Sequence, residues 1–279
     1  MGRLPSRRLA ILMTCAFWIG AAAAQPKEAI RAFDQQTIEM LGAAIYEQDR
    51  RAALATDILL AGTDEASLQR IRGWVFRSDR PDAVIRFVRV EAGNFEAAYD
   101  VDDRDGALGL VVPPDRSLSA HELAQFKARD LALRNIVRPC SDRYNAVILR
   151  EPGSDRWLVW MLAAHKVPNL IQVGGHYRFT ISADGETIVS RDALSMSCFV
   201  IDKNQMPANA KAQWLFMTHL VSDTPVETHV FLSLLHRVPF MIGTPDRMMW
   251  EVKEGHIRKA GPMPAQQMQP AQPAQPAQR

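Results

Sequence analysis

Apolar residues recur at spacings of three and four in the first part of the chain and gather into short, closely spaced runs after it. Residues 27–60 contain no proline, and Ile30, Phe33, Thr37, Met40, Leu41, Ala44 and Ile45 fall on one face of a helix that Leu54, Ile58 and Leu59 continue. Gly62 is the residue expected to stop it. Thr63 and Asp64 are placed to cap a second helix over 65–76, where Leu68, Ile71 and Val75 share a face. Arg80-Pro81-Asp82 breaks that helix. Residues 83–90 and 95–101 read as two strands around the turn Glu91-Ala92-Gly93-Asn94. A third helix, over 119–135, opens with Ser119 and Glu122 at the spacing of a capping box.

After Pro139 the pattern shortens to strands. Residues 144–150 and 157–164 flank a turn-rich connection, and every residue of the second run is apolar, so that strand is expected to be central and covered on both faces. Strands at 176–182 and 186–191 flank Asp184-Gly185, a strong hairpin signal. Runs at 198–201, 213–221, 227–235, 240–243, 249–253 and 256–259 complete the series. Tight turns between short strands argue for antiparallel pairing, since parallel neighbours need crossover helices that this pattern does not show. The prediction is an α+β fold, with N-terminal helices packed on a mostly antiparallel β-sheet and a strand-rich C-terminal half. It separates a helix-rich region, 25–137, holding one β-hairpin, from an antiparallel β-rich region, 138–260; the two can form one domain. Residues 261–279 repeat Pro-Ala-Gln with only Met263 and Met268 as sizeable apolar side chains, and read as a disordered tail.

The first 24 residues form a segment of another kind. Arg3, Arg7 and Arg8 precede an apolar run that ends in small residues, the order of an export signal peptide, with cleavage expected between Ala24 and Gln25. Its uncharged stretch is shorter than the roughly 20 residues of a spanning helix. The competing readings are a retained anchor, suggested by the bulky Phe17, Trp18 and Ile19, and acylation at Cys15, whose preceding residues fit that processing poorly. The expected location is periplasmic or secreted, with the membrane engaged only through the export signal.

Removing that segment changes the charge. The chain holds 33 basic and 31 acidic residues, a net +2, and without the three arginines the balance is about −1. No basic run remains, so nucleic acid is disfavoured as a partner. Cys140 and Cys198 are then the two remaining cysteines, an even number in an oxidising compartment. A disulfide between them closes a loop worth roughly 4 kcal/mol in chain entropy. Two buried free thiols, or one catalytic thiolate, are the rival readings. No Asn-x-Ser/Thr sequon occurs, which favours a bacterial periplasm.

Candidate chemistry is sparse. None of the seven histidines has the His-Glu-x-x-His spacing that sets two imidazoles on one helical face. Read as a strand, 227–235 puts Glu227 and His229 on one face, and His219 on a neighbouring strand completes the trio best suited to hold a metal or activate a water. The plainer reading is an edge pair or a structural hydrogen bond. His176, Arg178 and Thr180 share another strand face, read either as an anion-binding surface or as solvent-exposed. The acidic stretch 100–106 invites calcium, but aligning Gly106 with the EF-hand glycine leaves Val101 and Val112 at ligand positions, so a solvated turn is the better reading.

A Gly-x-Ser-x-Gly elbow, a Rossmann fingerprint and a Cys-x-x-Cys motif are all lacking. Ser233 lies four residues after His229, about 13 Å along a strand, beyond a base's reach. Gly174-Gly175 lacks the lysine of a phosphate loop. No cofactor is expected. Trp157 and Trp160 fall on opposite strand faces as packing residues. Trp214, Phe216, Phe231 and Phe240 belong to a sheet core or wall a pocket beneath a curved sheet. The residues thus point to an exported, non-catalytic binding or envelope-accessory protein whose partner is an envelope protein or a small ligand. Alternatives are a secreted hydrolase, metal-assisted through Glu227, His229 and His219, and a structural subunit of an envelope assembly.

Overall fold

The computed structural model describes residues 30–77, 85–104, 107–164, 167, 169–205 and 214–264. The export segment with its Ala24–Gln25 junction, the Arg80-Pro81-Asp82 breaker, His165 and the tail from 265 onward lie outside the described residues. A long first helix, α1 (Gln35–Gly62), begins where Asp34 accepts a hydrogen bond from Thr37 N–H at 2.8 Å. It starts later than the apolar period predicts, because Phe33 is used outside the helix, where its ring lies 4.6 Å from the Arg178 guanidinium carbon.

The second predicted helix is corrected. Asp64 does cap a helix, accepting from Ser67 N–H at 2.9 Å, but α2 (Glu65–Leu68) is a single turn. The chain then becomes β1 (Ile71–Phe76), which joins β2 (Ile85–Glu91), β3 (Asn94–Arg104) and β4 (Ala107–Val111) in an antiparallel sheet of that order. Ile71, Trp74, Val75 and Phe76 are β-branched or aromatic, and a pleated, half-buried surface suits them better than a helix. The expected solvated turn at 100–106 is also corrected, since β3 continues to Arg104 and Asp100 is buried. There it accepts from Arg86 Nε at 2.8 Å and pairs with Arg77 at 3.1 Å.

The capping box forms as read. In front of α3 (Ala120–Arg134), Ser119 Oγ accepts from Glu122 N–H at 3.2 Å and the Glu122 carboxylate accepts from Ser119 N–H at 2.8 Å. A second sheet has the order β5 (Tyr144–Arg150), β6 (Trp157–Ala163), β8 (Tyr177–Ile181) and β9 (Ile188–Ala193), all antiparallel. β7 (Leu170–Gln172) and β10 (Val200–Asp202) form a separate antiparallel pair. The last sheet runs β11 (Leu215–Thr218), β12 (Phe240–Gly243), β13 (Met248–Lys253) and β14 (His256–Pro262). Here β11 and β12 are parallel, joined by α4 (Glu227–His236) where a strand was predicted. The two corrections have one cause: the unrecognised helix is the crossover whose absence argued against parallel pairing. β14 also carries the chain past the expected start of the tail.

The centre of the β5–β6–β8–β9 sheet is covered on both faces, and every residue of β6 is buried, as its apolar run predicted, while Val189, Arg191 and Ala193 of the edge strand β9 are exposed. One face holds Trp160, Leu158 and Leu162 against α1 (Ile38, Leu41, Ile45), α4 (Val230, Phe231) and the β11–β14 sheet. The other holds Trp157, Val159 and Phe179 against the small residues Ala124, Ala128 and Ala132 of α3. The far end of α1 packs Ala55 and Leu59 on Ile85, Phe87 and Val101 of the first sheet. α1 also covers β5, an edge strand. The buried Gln48 amide donates to Ile148 C=O at 3.0 Å and accepts from Ile148 N–H at 2.6 Å, in place of a neighbouring strand.

α1 and α4 touch at Gly42. A Cβ there would lie 2.4 Å from Val230 Cβ and 2.8 Å from Glu227 C=O, so the helices cannot approach this closely over any side chain. Alanine gains about 1 kcal/mol of helix propensity over glycine, less than the strain of parting two packed helices. Gly42→Ala is therefore expected to lower unfolding stability by roughly 2 kcal/mol in urea titrations. Gly109→Ala, where an added Cβ meets nothing within 4 Å, serves as the control. Equal midpoints for Gly42→Ala and the parent protein would contradict this helix crossing.

Candidate functional site

The trio Glu227, His229 and His219 is the first place to test. With α4 helical, Glu227 and His229 no longer share a strand face. The Glu227 carboxylate turns toward the β6–β8–β9 sheet, where Oε1 accepts from Arg178 Nη1 at 2.7 Å and from Trp160 Nε1 at 2.8 Å. Arg178 is 1 % exposed, and its other nitrogens donate to Asp192 Oδ2 at 3.0 and 2.6 Å and to the Arg31 carbonyl. Burial works against its charge, but the Glu227 and Asp192 carboxylates prevail and hold its pKa above the ordinary arginine value. The strand face of His176, Arg178 and Thr180 is therefore neither solvent-exposed nor open to an external anion at Arg178: all three are buried.

The two histidines of the trio do meet. The His219 and His229 rings sit edge to face with centroids 4.7 Å apart. His229 Nδ1 accepts from Val226 N–H at 3.0 Å, so the neutral ring carries its proton on Nε2. Ser222 Oγ donates to Thr224 C=O at 2.6 Å and is 2.7 Å from His219 Nε2, which places a proton on that nitrogen too. A metal needs an imidazole lone pair, and at His229 the backbone already uses it. Among the described residues, no group of three or more His, Cys, Asp and Glu side chains is placed to hold a metal ion. Ser233 sits one turn from His229 on α4, not 13 Å along a strand as expected, and its hydroxyl donates to Val230 C=O at 3.0 Å.

His176 is buried nearby. Its Nδ1 accepts from Ala163 N–H at 3.0 Å and its Nε2 lies 3.0 Å from Gln172 C=O, to which it donates. Burial pushes its pKa down to about 4. Burial likewise pushes His229 well below the ordinary value, with added repulsion from His219 and His176.

Two cavities open beside these residues. A pocket of about 550 Å³ is walled by Met217 and Phe216 of β11, Met249 of β13, Met263 just after β14, and Met196 and Phe199 of the 194–199 connection, with His219 and His229 also in its lining. Phe216 was expected in a sheet core, but it is 57 % exposed and stands at the mouth. Among the described residues, no Asp, Glu, Lys, Arg or Cys side chain lines this pocket. A larger cleft, about 1280 Å³, borders it and contains arginines. Ser195, Met196 and Ser197 line both and form the partition between them. The partition is fastened by the disulfide Cys140–Cys198. Gly175, at φ +89°, lies under that bond, where a Cβ would fall 2.3 Å from Cys140 Cβ.

Comparison with protein-family models, with curated proteins and with solved structures finds no match. The pocket residues come from widely separated places in the chain and follow no spacing; beyond Phe216, His219 and His229, which the sequence singles out, the abundance of methionine, 12 in all, is the signal it offers for them. No helix among the described residues is long and apolar enough to cross a membrane.

Two outcomes follow. Glu227→Ala leaves Arg178 buried with one carboxylate in place of two, and is expected to cost about 3–5 kcal/mol in urea unfolding. A loss below 1 kcal/mol would show that Glu227 is not structural. His176 has a folded pKa of about 4 against an ordinary 6.5, so below pH 6.5 the unfolded chain takes up a proton that the folded one refuses. Stability is whole above that pH and falls as pH drops toward 4, by about 1.4 kcal/mol per unit for each such histidine. Urea midpoints measured from pH 7.5 to 4.5 should show this slope, and His176→Asn should reduce it.

Proposed function

We propose that this chain is an exported, non-catalytic binding protein, periplasmic or secreted, that holds a small ligand with an apolar body in the methionine- and phenylalanine-walled pocket. The carrying observation is a cluster of four exposed apolar side chains; others, such as Met40, Leu54 and Val112, lie away from it. Met196, Phe199, Phe216 and Leu220 are between 45 % and 60 % exposed, and all four line the same pocket. Exposed apolar surface is costly in water, and its concentration at a cavity mouth is the arrangement of a ligand-binding site. The cavity volume falls in the range usual for small-molecule sites. Unbranched methionine side chains let such a wall adjust to its guest. Glu227 is committed to Arg178 and the His229 lone pair to the backbone, which favours binding over hydrolysis. The basic–apolar–small order of the first residues and the Cys140–Cys198 disulfide support export.

The test is titration with the neutral, environment-sensitive dye N-phenyl-1-naphthylamine. Saturable binding at one site is expected. Phe216→Glu, which puts a charge at the pocket mouth, should weaken it at least about tenfold, or about 1.4 kcal/mol. Because Phe216 is exposed, the melting temperature should move by no more than about 2 °C. Absence of saturable binding, or equal affinity in the variant, would overturn the proposal.

A further inference from the structure

The neighbouring cleft differs from the pocket in its chemistry. Four arginines line it, Arg31, Arg138, Arg156 and Arg191, against the single carboxylate of Asp192. Much of this charge is already balanced. Arg31 and Arg156 share the Glu151 carboxylate, leaving one positive charge in excess. Arg178 lies between Asp192 and Glu227, leaving one negative charge in excess. These two clusters cancel. Arg138 and Arg191 stand outside both, and among the described residues neither has a carboxylate partner.

A second observation is independent of charge. Thr180 on β8 and Ser190 on β9 face each other across the strand pair, and both line the cleft. The hydroxyl oxygens of both are buried and have no hydrogen-bond partner, and Thr180 as a whole is 1 % exposed. Buried hydroxyls are ordinarily satisfied. The register sets Arg191 opposite Phe179, so its side chain leaves β9 on the other face from Ser190 and Thr180; the cleft wraps round this edge strand, and the guanidinium and the two unsatisfied hydroxyls line it from different faces.

We infer that the arginine-lined cleft receives the anionic end of the ligand whose apolar body fills the methionine pocket, so that the ligand is an amphiphile with one terminal carboxylate or phosphate. The inference rests on the pocket reading above and adds the headgroup to it. The 195–197 partition, shared by both cavities, is where the chain of such a molecule would pass from apolar to polar surroundings. Met196 provides the apolar side of that crossing. Arg138 and Arg191 supply the charge, and neither is used in the buried clusters that hold the fold together.

Displacement of the bound naphthylamine dye separates the two ideas. Dodecanoate, dodecyl phosphate and dodecanol are compared at concentrations where all are monomeric, on the full mature chain and on Arg138→Gln/Arg191→Gln. The anions are expected to displace the dye roughly tenfold more tightly than the alcohol, and raised salt should reduce that margin. The double variant should bring the anions to the level of the alcohol while leaving alcohol affinity unchanged. Both residues are exposed, so its melting temperature should match the parent. Equal affinities for alcohol and anions in the parent would overturn the headgroup site and leave the pocket standing. An anion preference that survives in the double variant would also overturn it. Failure of the dye and all three amphiphiles to bind would instead remove the pocket reading itself. A tighter grip on the phosphate than on the carboxylate, or the reverse, identifies the headgroup.

Discussion

A guanidinium buried in the centre of the molecule fixes how the parts of this chain meet. Arg178 stands on β8 with almost no solvent contact, and each side of its fork is answered by a different element. Asp192 comes from β9, Glu227 from the first turn of α4, and the Arg31 carbonyl from the segment ahead of α1. Stripping water from a charge costs several kcal/mol, and here that cost is offset only when all these partners are in place together. The cluster is thus less a source of net stability than a condition on geometry. A displaced α4 or an undocked N-terminal segment leaves an unpaired charge in the interior, and such arrangements are strongly disfavoured.

The surroundings enforce the same placement by packing. Trp160 shares the Glu227 carboxylate and belongs to the strand that carries apolar side chains on both faces. On one face the large Trp157 and Phe179 are met by alanines of α3; on the other, α1 and α4 approach each other over Gly42. Large side chains on the sheet and small residues on the helices are complementary choices, and both are made by the sequence. The first sheet is tied in similarly. Arg86 pairs with Asp100 beneath it and lies 3.3 Å from Glu122, the residue that closes the α3 capping box.

What could be read from the chain divides along physical lines. Signals that act within a few residues were legible: the Ser119–Glu122 box, the Asp184-Gly185 turn, and the unbroken apolar run of β6. Each depends on local hydrogen bonding or on burial of a whole segment. The misread elements lack such a signal. From Glu227 to Ser233 every residue of α4 is buried, so no polar face marks the helical period, and a short apolar run looks the same for helix and strand. Arg178 and Asp192 look like solvent-facing residues on alternating strands until a helix and an N-terminal segment cover them. The site was partly legible: His219 and His229 do come together, but Glu227 was assigned to them because of a strand that does not exist. The pocket was anticipated only as a general possibility beneath a curved sheet, since its walls converge through tertiary structure alone.

The disulfide has a bearing on when the wall between the two cavities is fixed. Cys198 closes the short connection that divides the methionine pocket from the arginine cleft, and Cys140 anchors it beside Gly175 at the end of the central sheet. In a reducing compartment that bond is open, and the partition between apolar and charged surroundings loses its tether while the helices and sheets keep their own supports. The fixing of that partition is thereby coupled to oxidation. Under the proposed reading, the wall that parts the two cavities would be set only after the chain has left reducing surroundings.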